Sequence, residues 1–178
     1  MNNKNIKELV ERYPFLLPRD IFTDQLPEGY DYSYIKYLEI PDGWYKLFFQ
    51  MCEDIRQPLI DAGWLDKFRF TQVKEKYNEM RCYCTGAPKE VDDILEKYEQ
   101  MSYYVCTECG AKAKYETTDY LASFCRTCKR GRVRNYPMRR IRFKTYYHKV
   151  TFENGRKTRT RVSFKDEWKR YKKSLKNT

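Results

Sequence analysis

The chain is poor in the residues and motifs on which most enzymes depend. It holds a single histidine, His148, among 178 residues. It has no Ser-His-Asp arrangement, no HExxH motif and no glycine-rich phosphate loop, which are the short signatures of several large enzyme classes. A lone histidine among basic residues is more often a stacking or hydrogen-bonding group than a general base. These absences predict a protein that is not an enzyme.

One enzymatic alternative, a magnesium-dependent nuclease, depends on acidic residues at a particular spacing. Such an enzyme gathers carboxylates and a lysine around the ion, with an acid two positions before the lysine on a strand. The candidate strand has Gln72 where that acid would stand and Lys74 as the lysine. The nuclease therefore stays an alternative, behind a binding protein.

Long apolar runs are missing as well. No stretch approaches the roughly twenty apolar residues of a membrane-spanning helix, and the first residues, Met-Asn-Asn-Lys-Asn, hold no apolar signal core. The seven cysteines are an odd number, which argues against a secreted disulfide scaffold. We therefore expect a cytoplasmic protein that does not act at a membrane.

Four of the cysteines form two CxxC pairs that are separated by fifteen residues. Each pair presents two thiolates from one tight turn, and four sulfurs complete a tetrahedron around one zinc ion. Such a site leaves no position for water, so the ion would be structural. Two redox or disulfide CxxC turns are the alternative. The predicted ligands of one Zn2+ in a zinc ribbon at 106–131 are Cys106, Cys109, Cys125 and Cys128.

Two glycines near these pairs and the three other cysteines carry further expectations. Gly110 and Gly131 follow the CxxC pairs closely, where a positive φ would turn backbone amides towards the sulfurs. Cys52, Cys82 and Cys84 stand in predicted helix and strand patterns beside apolar residues. We expect these three side chains to pack in the core rather than to form a second metal site.

Charge is distributed very unevenly along the chain. Residues 1–105 hold 14 basic and 19 acidic residues, a net charge of −5, whereas residues 129–178 hold 19 basic and three acidic residues, a net charge of +16. Aromatic residues are interleaved with these cations. Phosphates supply the missing countercharge, and flat side chains stack on exposed bases. A solvated basic face, or one docked on the acidic half of the chain, is the alternative.

The sequence thus predicts that the C-terminal part binds nucleic acid. The residues expected to contact it are Lys129, Arg130, Arg132, Arg134, Arg139, Arg140, Arg142, Lys144, Arg159, Arg161, Lys169, Arg170 and Lys173.

Hydrophobic periodicity predicts an α+β fold in three parts. Residues 1–105 would form an acidic α+β domain, followed by the ribbon at 106–131 and a basic module at 132–178. Within the first part we expect an extended, proline-punctuated loop between a first and a second helix, and then a β-hairpin and a third helix. The expected helices span 3–13, 42–62 and 88–103, the loop spans 14–42, and the hairpin strands span 67–74 and 80–85.

The basic module should consist of a β-hairpin and a C-terminal helix. Asn154-Gly155 is the preferred centre of a two-residue hairpin turn, so we expect strands at 145–152 and 157–164, and a helix at 165–176 with Ser163 as its N-cap. The turn fixes the strand register. The expected cross-strand pairs are Phe152 with Lys157, Val150 with Arg159, and His148 with Arg161.

Residues 13–128 carry an ordered set of short motifs that is moderately specific as a set. The motifs are Tyr13-Pro14-Phe15-Leu16-Leu17-Pro18-Arg19, Tyr30-Asp31-Tyr32-Ser33-Tyr34, Pro41-Asp42-Gly43-Trp44 and Val73-Lys74-Glu75-Lys76-Tyr77, followed by a helix that leads into Cys106. As a set they resemble the zinc-ribbon proteins of phages and prophages of gut bacteria. Members of that group usually continue with paired glycines, where this chain has Asn78-Glu79.

The resemblance implies a small phage accessory protein that acts in the cytoplasm of a bacterial host cell and has no catalytic residues. Such proteins often bind and block host machinery. The leading hypothesis is a non-enzymatic protein that binds nucleic acid or a host nucleoprotein complex through its basic module and inhibits a nucleic-acid-guided nuclease, as anti-CRISPR proteins do. The alternatives are a zinc-ribbon DNA- or RNA-binding factor in phage transcription or replication, and the nuclease considered above.

Overall fold

The computed structural model describes residues 1–17, 19–20, 22–23, 25–26, 28–29, 37–132, 136–154 and 156–176, with the backbone alone at positions 152 and 153. Arg134, Gly155 and the Tyr30-Asp31-Tyr32-Ser33-Tyr34 motif therefore lie outside the described residues. The predicted α+β class is confirmed.

Within these ranges the chain forms helices, strands and two short 3-10 turns. In chain order they are α1 (Asn3–Arg12), a 3-10 turn (Pro14–Leu16), β1 (Leu38–Glu39), a 3-10 turn (Asp42–Trp44), α2 (Tyr45–Asp61), β2 (Phe70–Lys76), β3 (Glu79–Cys84), α3 (Lys89–Ser102), β4 (Tyr115–Thr117), β5 (Ser123–Phe124), α4 (Arg126–Arg132), β6 (Met138–Arg140), β7 (Tyr146–Glu153), β8 (Arg156–Ser163) and α5 (Lys165–Ser174).

The strands form three small sheets. The first has the order β1-β2-β3, with β1 parallel and β3 antiparallel to β2. The second has the order β5-β4-β6, and its pairs are antiparallel. The third is the β7-β8 hairpin. Because β6 pairs with β4, Met138, Arg139 and Arg140 extend the sheet that leads into the second cysteine pair. This sheet therefore continues beyond position 131, at which the sequence placed the end of the ribbon.

Helix α2 is the centre of the hydrophobic core. Its apolar side chains recur at helical spacing, so one broad face can be removed from water. Burying a leucine or phenylalanine side chain of this kind stabilises the fold by about 1.5–3 kcal/mol. The fully buried members on this face are Leu47, Phe48, Met51, Cys52, Ile55 and Leu59.

The same core continues into the C-terminal part of the chain. Phe164, Trp168 and Tyr171 are buried in one cluster with the side chains of α2 and α3. Lys97 of α3 lies 3.2 Å from Glu167, which adds an ion pair to this packing. The three-part division stays a prediction, but parts one and three share a continuous core, and α5 packs on α2 rather than only on the hairpin.

The turn between β2 and β3 is tighter than the sequence suggested. The expected connection spanned 75–79, whereas the strands leave only Tyr77 and Asn78 between them, with φ values of 53° and 67°. Asparagine tolerates this left-handed region better than most residues. The buried Asn78 amide also donates to Ser123 Oγ at 2.7 Å, which ties the turn to the ribbon.

Two smaller expectations differ from the structure. Leu38 and Glu39, expected in the loop, form β1, and a two-residue strand is too short to leave a periodic signal. The N-cap of α5 is Phe164 rather than Ser163, although Ser163 Oγ does accept from the Lys165 amide at 3.2 Å.

Glu99 of α3 gives the fold a specific pH dependence. Its Oε1 accepts from the Cys82 amide at 2.6 Å, and burial, which outweighs this bond and the nearby Arg81, raises its pKa from 4.5 to about 7. The folded chain therefore holds this proton more tightly than the unfolded chain. The corresponding stability is present below pH 4.5 and is lost as the pH rises towards 7, and amounts to at most about 3 kcal/mol.

Glu99→Gln should therefore raise the melting temperature at pH 8 relative to the natural chain, because it removes the buried charge and keeps an acceptor for the Cys82 amide. At pH 4.5 the Glu99→Gln chain and the natural chain should have the same melting temperature. Thermal melts at both values test this, with Glu90→Gln, an exposed glutamate of the same helix, as the control. A Glu99→Gln chain that is less stable at pH 8 would refute the assignment.

Candidate metal centre and basic surface

The first CxxC pair lies in a turn that follows α3. The Cys106 amide donates to Ala111 O at 2.8 Å, and the Gly110 amide donates to Cys106 O at 3.0 Å. Gly110 has a φ of +74°, as expected, which a residue with a Cβ rarely adopts. These two hydrogen bonds close a tight turn that carries both cysteines of the first pair.

The second pair is built differently, from the end of β5 into helix α4. The Cys128 amide donates to the Cys125 sulfur at 3.3 Å, and the Lys129 amide donates to Cys125 O at 3.0 Å. The expectation of a positive φ at Gly131 was wrong, because Gly131 lies inside α4. A helical turn, rather than a second glycine turn, presents these two thiols.

The four sulfurs converge. All four Sγ atoms lie within 4.8 Å of one another, and those of Cys109 and Cys125 are 3.6 Å apart. Four sulfurs bonded at about 2.3 Å to one tetrahedral ion would be about 3.8 Å apart, so the cluster fits a metal ion. All seven cysteines are free thiols, and a disulfide would bring two sulfurs to about 2.05 Å. The geometry therefore does not support the disulfide alternative.

The three remaining cysteines lie apart from this cluster. Cys52 is fully buried in the main core, and Cys82 and Cys84 are partly buried against it. Burial raises the pKa of the Cys52 and Cys82 thiols well above the ordinary value. In the described part of the chain only the four-cysteine cluster gathers three or more potential metal ligands.

The cluster is fixed directly to the main body. The Gly43 amide donates to Thr107 O at 2.9 Å, and the Trp44 indole donates to Val105 O at 3.2 Å. From the C-terminal side, the buried Tyr171 hydroxyl donates to Gly110 O at 2.7 Å. Burial also raises the pKa of Tyr171, so the phenol stays a donor. The metal centre thus touches both the N-terminal helices and α5.

Several of the cations predicted to bind nucleic acid have acidic partners within the chain. Each of these contacts competes with an external phosphate. The pairs are Arg132 with Glu108 at 2.6 Å, Arg139 with Glu116 at 2.6 Å, Lys169 with Asp166 at 3.0 Å and Arg170 with Asp54 at 2.5 Å. The pair of Arg170 with Asp54 joins the basic C-terminal part to the acidic N-terminal part of the chain. It is an example of the intramolecular docking that the sequence analysis gave as an alternative to nucleic-acid binding.

A second group of cations surrounds a cleft between the end of α3, β4 and the start of β7. The cleft has a volume of about 470 Å³, and we call it the basic cleft. Three exposed cations, Arg140, Arg142 and Lys144, line one side of it. Among the residues that the structure describes, none of the three forms an ion pair. Its aromatic lining is Tyr103, Tyr104, Tyr146 and His148.

The acidic residues of the basic cleft are already engaged. Glu116 is buried, accepts from the Tyr103 hydroxyl at 2.7 Å and pairs with Arg139. Glu79 pairs with Arg81 at 2.6 Å. Burial raises the pKa of Tyr104 to about 12, so this side chain is neutral. Arg140, Arg142 and Lys144 thus have no acidic partner in the described part of the chain, although the Lys144 ammonium lies 5.8 Å from the centre of the Tyr146 ring.

The β7-β8 hairpin continues this surface, and its predicted register is confirmed. His148 pairs with Arg161, Val150 with Arg159 and Phe152 with Lys157. Because side chains alternate along a strand, Tyr146 and His148 share one face of β7. Arg161, the cross-strand partner of His148, and Arg159, the partner of Val150, lie on the same face of β8. The buried Tyr147 points the other way. We call the Tyr146, His148, Arg159 and Arg161 side the outer face.

Other predicted contact residues lie elsewhere. The Lys129 ammonium lies 3.8 Å from the centre of the Tyr115 ring, Arg130 is exposed on α4, and Lys173 is exposed on α5. None of the α5 cations lines the basic cleft. Sequence reasoning missed Tyr146, although the Asn-Gly turn register already placed it on the face of His148.

No protein-family model matches the chain, and no curated protein or solved structure shows significant similarity to it. In the described ranges, no helix is long and apolar enough to cross a membrane. The functional argument therefore depends on the geometry of the four cysteines and of the basic cleft.

Proposed function

We propose that the protein is a non-enzymatic nucleic-acid-binding protein. Its binding surface is the basic cleft with the adjoining outer face of the hairpin, and one structural Zn2+ holds the cysteine cluster. The observation that carries the proposal is the convergence of Arg140, Arg142 and Lys144, all without an acidic partner in the described residues, on a cleft with aromatic walls.

Charge and aromatic side chains support this function together. Cations that neutralise phosphates release condensed counterions, which supplies most of the affinity of such surfaces. Aromatic rings beside them offer stacking surfaces for bases. Cations that serve only solubility would not need to surround aromatic rings in a concave site.

Zinc is the ion that the cluster fits best. Soft thiolates in a tetrahedral arrangement select zinc or iron, and zinc needs no redox partner. A closed four-thiolate site has no open position for a substrate. The ion would act by tying the turn at 106–109 to the end of β5 and to α4. It would thereby support the β5-β4-β6 sheet, from whose strand β6 the basic cleft begins.

The test is binding of a labelled oligonucleotide to the full-length chain at 50 to 200 mM salt. Affinity should fall steeply with salt. Changing Arg140, Arg142 and Lys144 together to glutamine should weaken binding about tenfold or more and make the salt dependence shallower by about two in log–log slope, because three phosphate contacts are lost. Deletion of 129–178 is unsuitable, because Phe164, Trp168 and Tyr171 belong to the core.

The matched control removes three exposed cations elsewhere, Lys4, Arg56 and Lys67, again as glutamine. It changes the net charge equally, so it should lower affinity far less. Equal losses in the two triple variants would show that only net charge matters and would contradict a defined surface.

Inhibition of a nucleic-acid-guided nuclease stays a prediction, which depends on the sequence resemblance and on the opposite net charges of residues 1–105 and 129–178. It would require the same surface to meet nucleic acid inside a nucleoprotein.

A further inference from the structure

We infer that the basic cleft holds one unpaired nucleotide, so that the protein binds single-stranded nucleic acid in preference to a duplex. This rests on the proposed function and specifies the form of nucleic acid that the surface accepts. The base would lie against Tyr146 and His148, and the backbone would follow Arg140, Arg142 and Lys144.

The aromatic side of the cleft suits a base. The Tyr146 and His148 rings lie 5.4 Å apart between centroids at an interplanar angle of 80°. The Arg161 guanidinium lies 4.9 Å from the centre of the Tyr146 ring. Tyr146 and His148 are partly exposed. Unpaired bases stack on such rings and on guanidinium planes, whereas the bases of a duplex are already stacked on one another.

The size of the cleft points the same way. A volume of about 470 Å³ lies within the range of about 300–1,000 Å³ that is usual for small-ligand sites. Such a volume suits one nucleotide. The bases of a duplex, which are stacked on one another, would leave the aromatic rings without a partner.

The three cations lie on one side of a short segment. From 140 to 144 exposed and partly buried residues alternate, with Ile141 and Phe143 against the core. Arg140, Arg142 and Lys144 therefore face away from the core together. Successive phosphates could therefore meet Arg140, Arg142 and Lys144 in turn.

The site is also held in place before any ligand arrives. The Gln100 amide group accepts from the His148 backbone amide at 3.0 Å and donates to its carbonyl at 2.9 Å. Lys149 pairs with Asp93 of α3. Behind the strand, the Tyr147 ring stacks on Phe164 at 6.3 Å between centroids. A fixed platform loses little entropy when a base stacks on it.

The experiment compares a labelled 15-nucleotide single strand with the same strand annealed to its complement, as DNA and as RNA, at one salt concentration. The single strand should bind at least tenfold more tightly. Tyr146→Ala should weaken single-strand binding about 5- to 150-fold, which is the usual effect of losing one stacked base, while leaving the salt slope unchanged. Tyr146→Phe should retain the affinity, since the ring is kept.

Tyr120→Ala, at a tyrosine 70% exposed on the ribbon, is the control and should bind as the natural chain does. Thermal melts show whether Tyr146→Ala is folded. His148→Ala removes the other ring that would contact the base and should also weaken single-strand binding. Equal or tighter duplex binding, or unchanged binding by folded Tyr146→Ala and His148→Ala, would overturn the inference and leave the proposed function standing. If neither form binds at low salt, both fail.

Discussion

Cys125→Ser is expected to abolish stoichiometric metal binding and to unfold the ribbon. Cys125 is only 7% exposed, and its sulfur accepts from the Cys128 amide and lies 3.6 Å from Cys109 Sγ. A serine oxygen is a poor substitute in a four-thiolate site. Structural zinc sites of this kind contribute about 10–16 kcal/mol of apparent binding free energy to folding, so this should be among the most destabilising single changes in the chain.

Metal content per chain and thermal melting measure the result. Cys84→Ser is the control, because that cysteine is also partly buried but lies outside the cluster, and it should keep one ion per chain. Chelation of the natural chain should reproduce the effect of Cys125→Ser. An unchanged metal content in Cys125→Ser would contradict the assignment of the four ligands.

Gly43→Ala is expected to separate the cysteine cluster from the main body. A Cβ at Gly43 would lie 2.2 Å from Cys106 O and 2.7 Å from the carbonyl carbon of Thr107. Both are backbone atoms held by the ribbon, so neither can rotate away. Overpacking of this kind costs about 1–3 kcal/mol or more, and the lower limit of that range already shifts the melting temperature of a chain of this size by about 2–4 °C.

Gly110→Ala should disturb the same contact from the side of the cysteine cluster. Its Cβ would lie 2.7 Å from Gly43 O, at a φ of +74°. Gly131→Ala is the control, since nothing lies within 4 Å of its Cβ and it is helical. It should be neutral or stabilising by up to about 1 kcal/mol. If Gly43→Ala and Gly131→Ala had the same melting temperature, the close contact assigned between the cysteine cluster and the main body would be contradicted.

Local rules predicted much of the fold. Helical spacing was sufficient for α1, α2, α3 and α5. The Asn154-Gly155 turn fixed the β7-β8 register because a two-residue turn leaves no freedom in pairing. The CxxC spacing identified four cysteines whose sulfurs the structure brings within 4.8 Å of one another.

Contacts between distant parts of the chain were not predictable in the same way. Arg170 and Asp54 are 116 positions apart, and nothing local links them. The pairing of β6 with β4 likewise depends on how the chain returns after α4. The charge count therefore indicated a basic module. Only the fold shows that Arg132, Arg139 and Arg170 have acidic partners, whereas Arg140, Arg142 and Lys144 have none among the residues that the structure describes.

This division of the cations shows that the net charge alone does not locate a binding surface. A surface that bound phosphate by charge alone would use all thirteen predicted residues about equally. The structure instead brings three cations that have no acidic partner among the described residues together with aromatic rings at one cleft. The strand β6 that begins this cleft pairs with β4 of the ribbon. The cysteine cluster and the basic cleft are thus parts of one structural unit.

The most direct test of this account is the dissociation constant of the natural, metal-loaded chain for a single-stranded oligonucleotide at several salt concentrations. We expect log Kd to rise linearly with log salt, with a slope of about two or more from the three cations of the basic cleft. Binding that does not change with salt, or no binding at 50 mM salt, would contradict it.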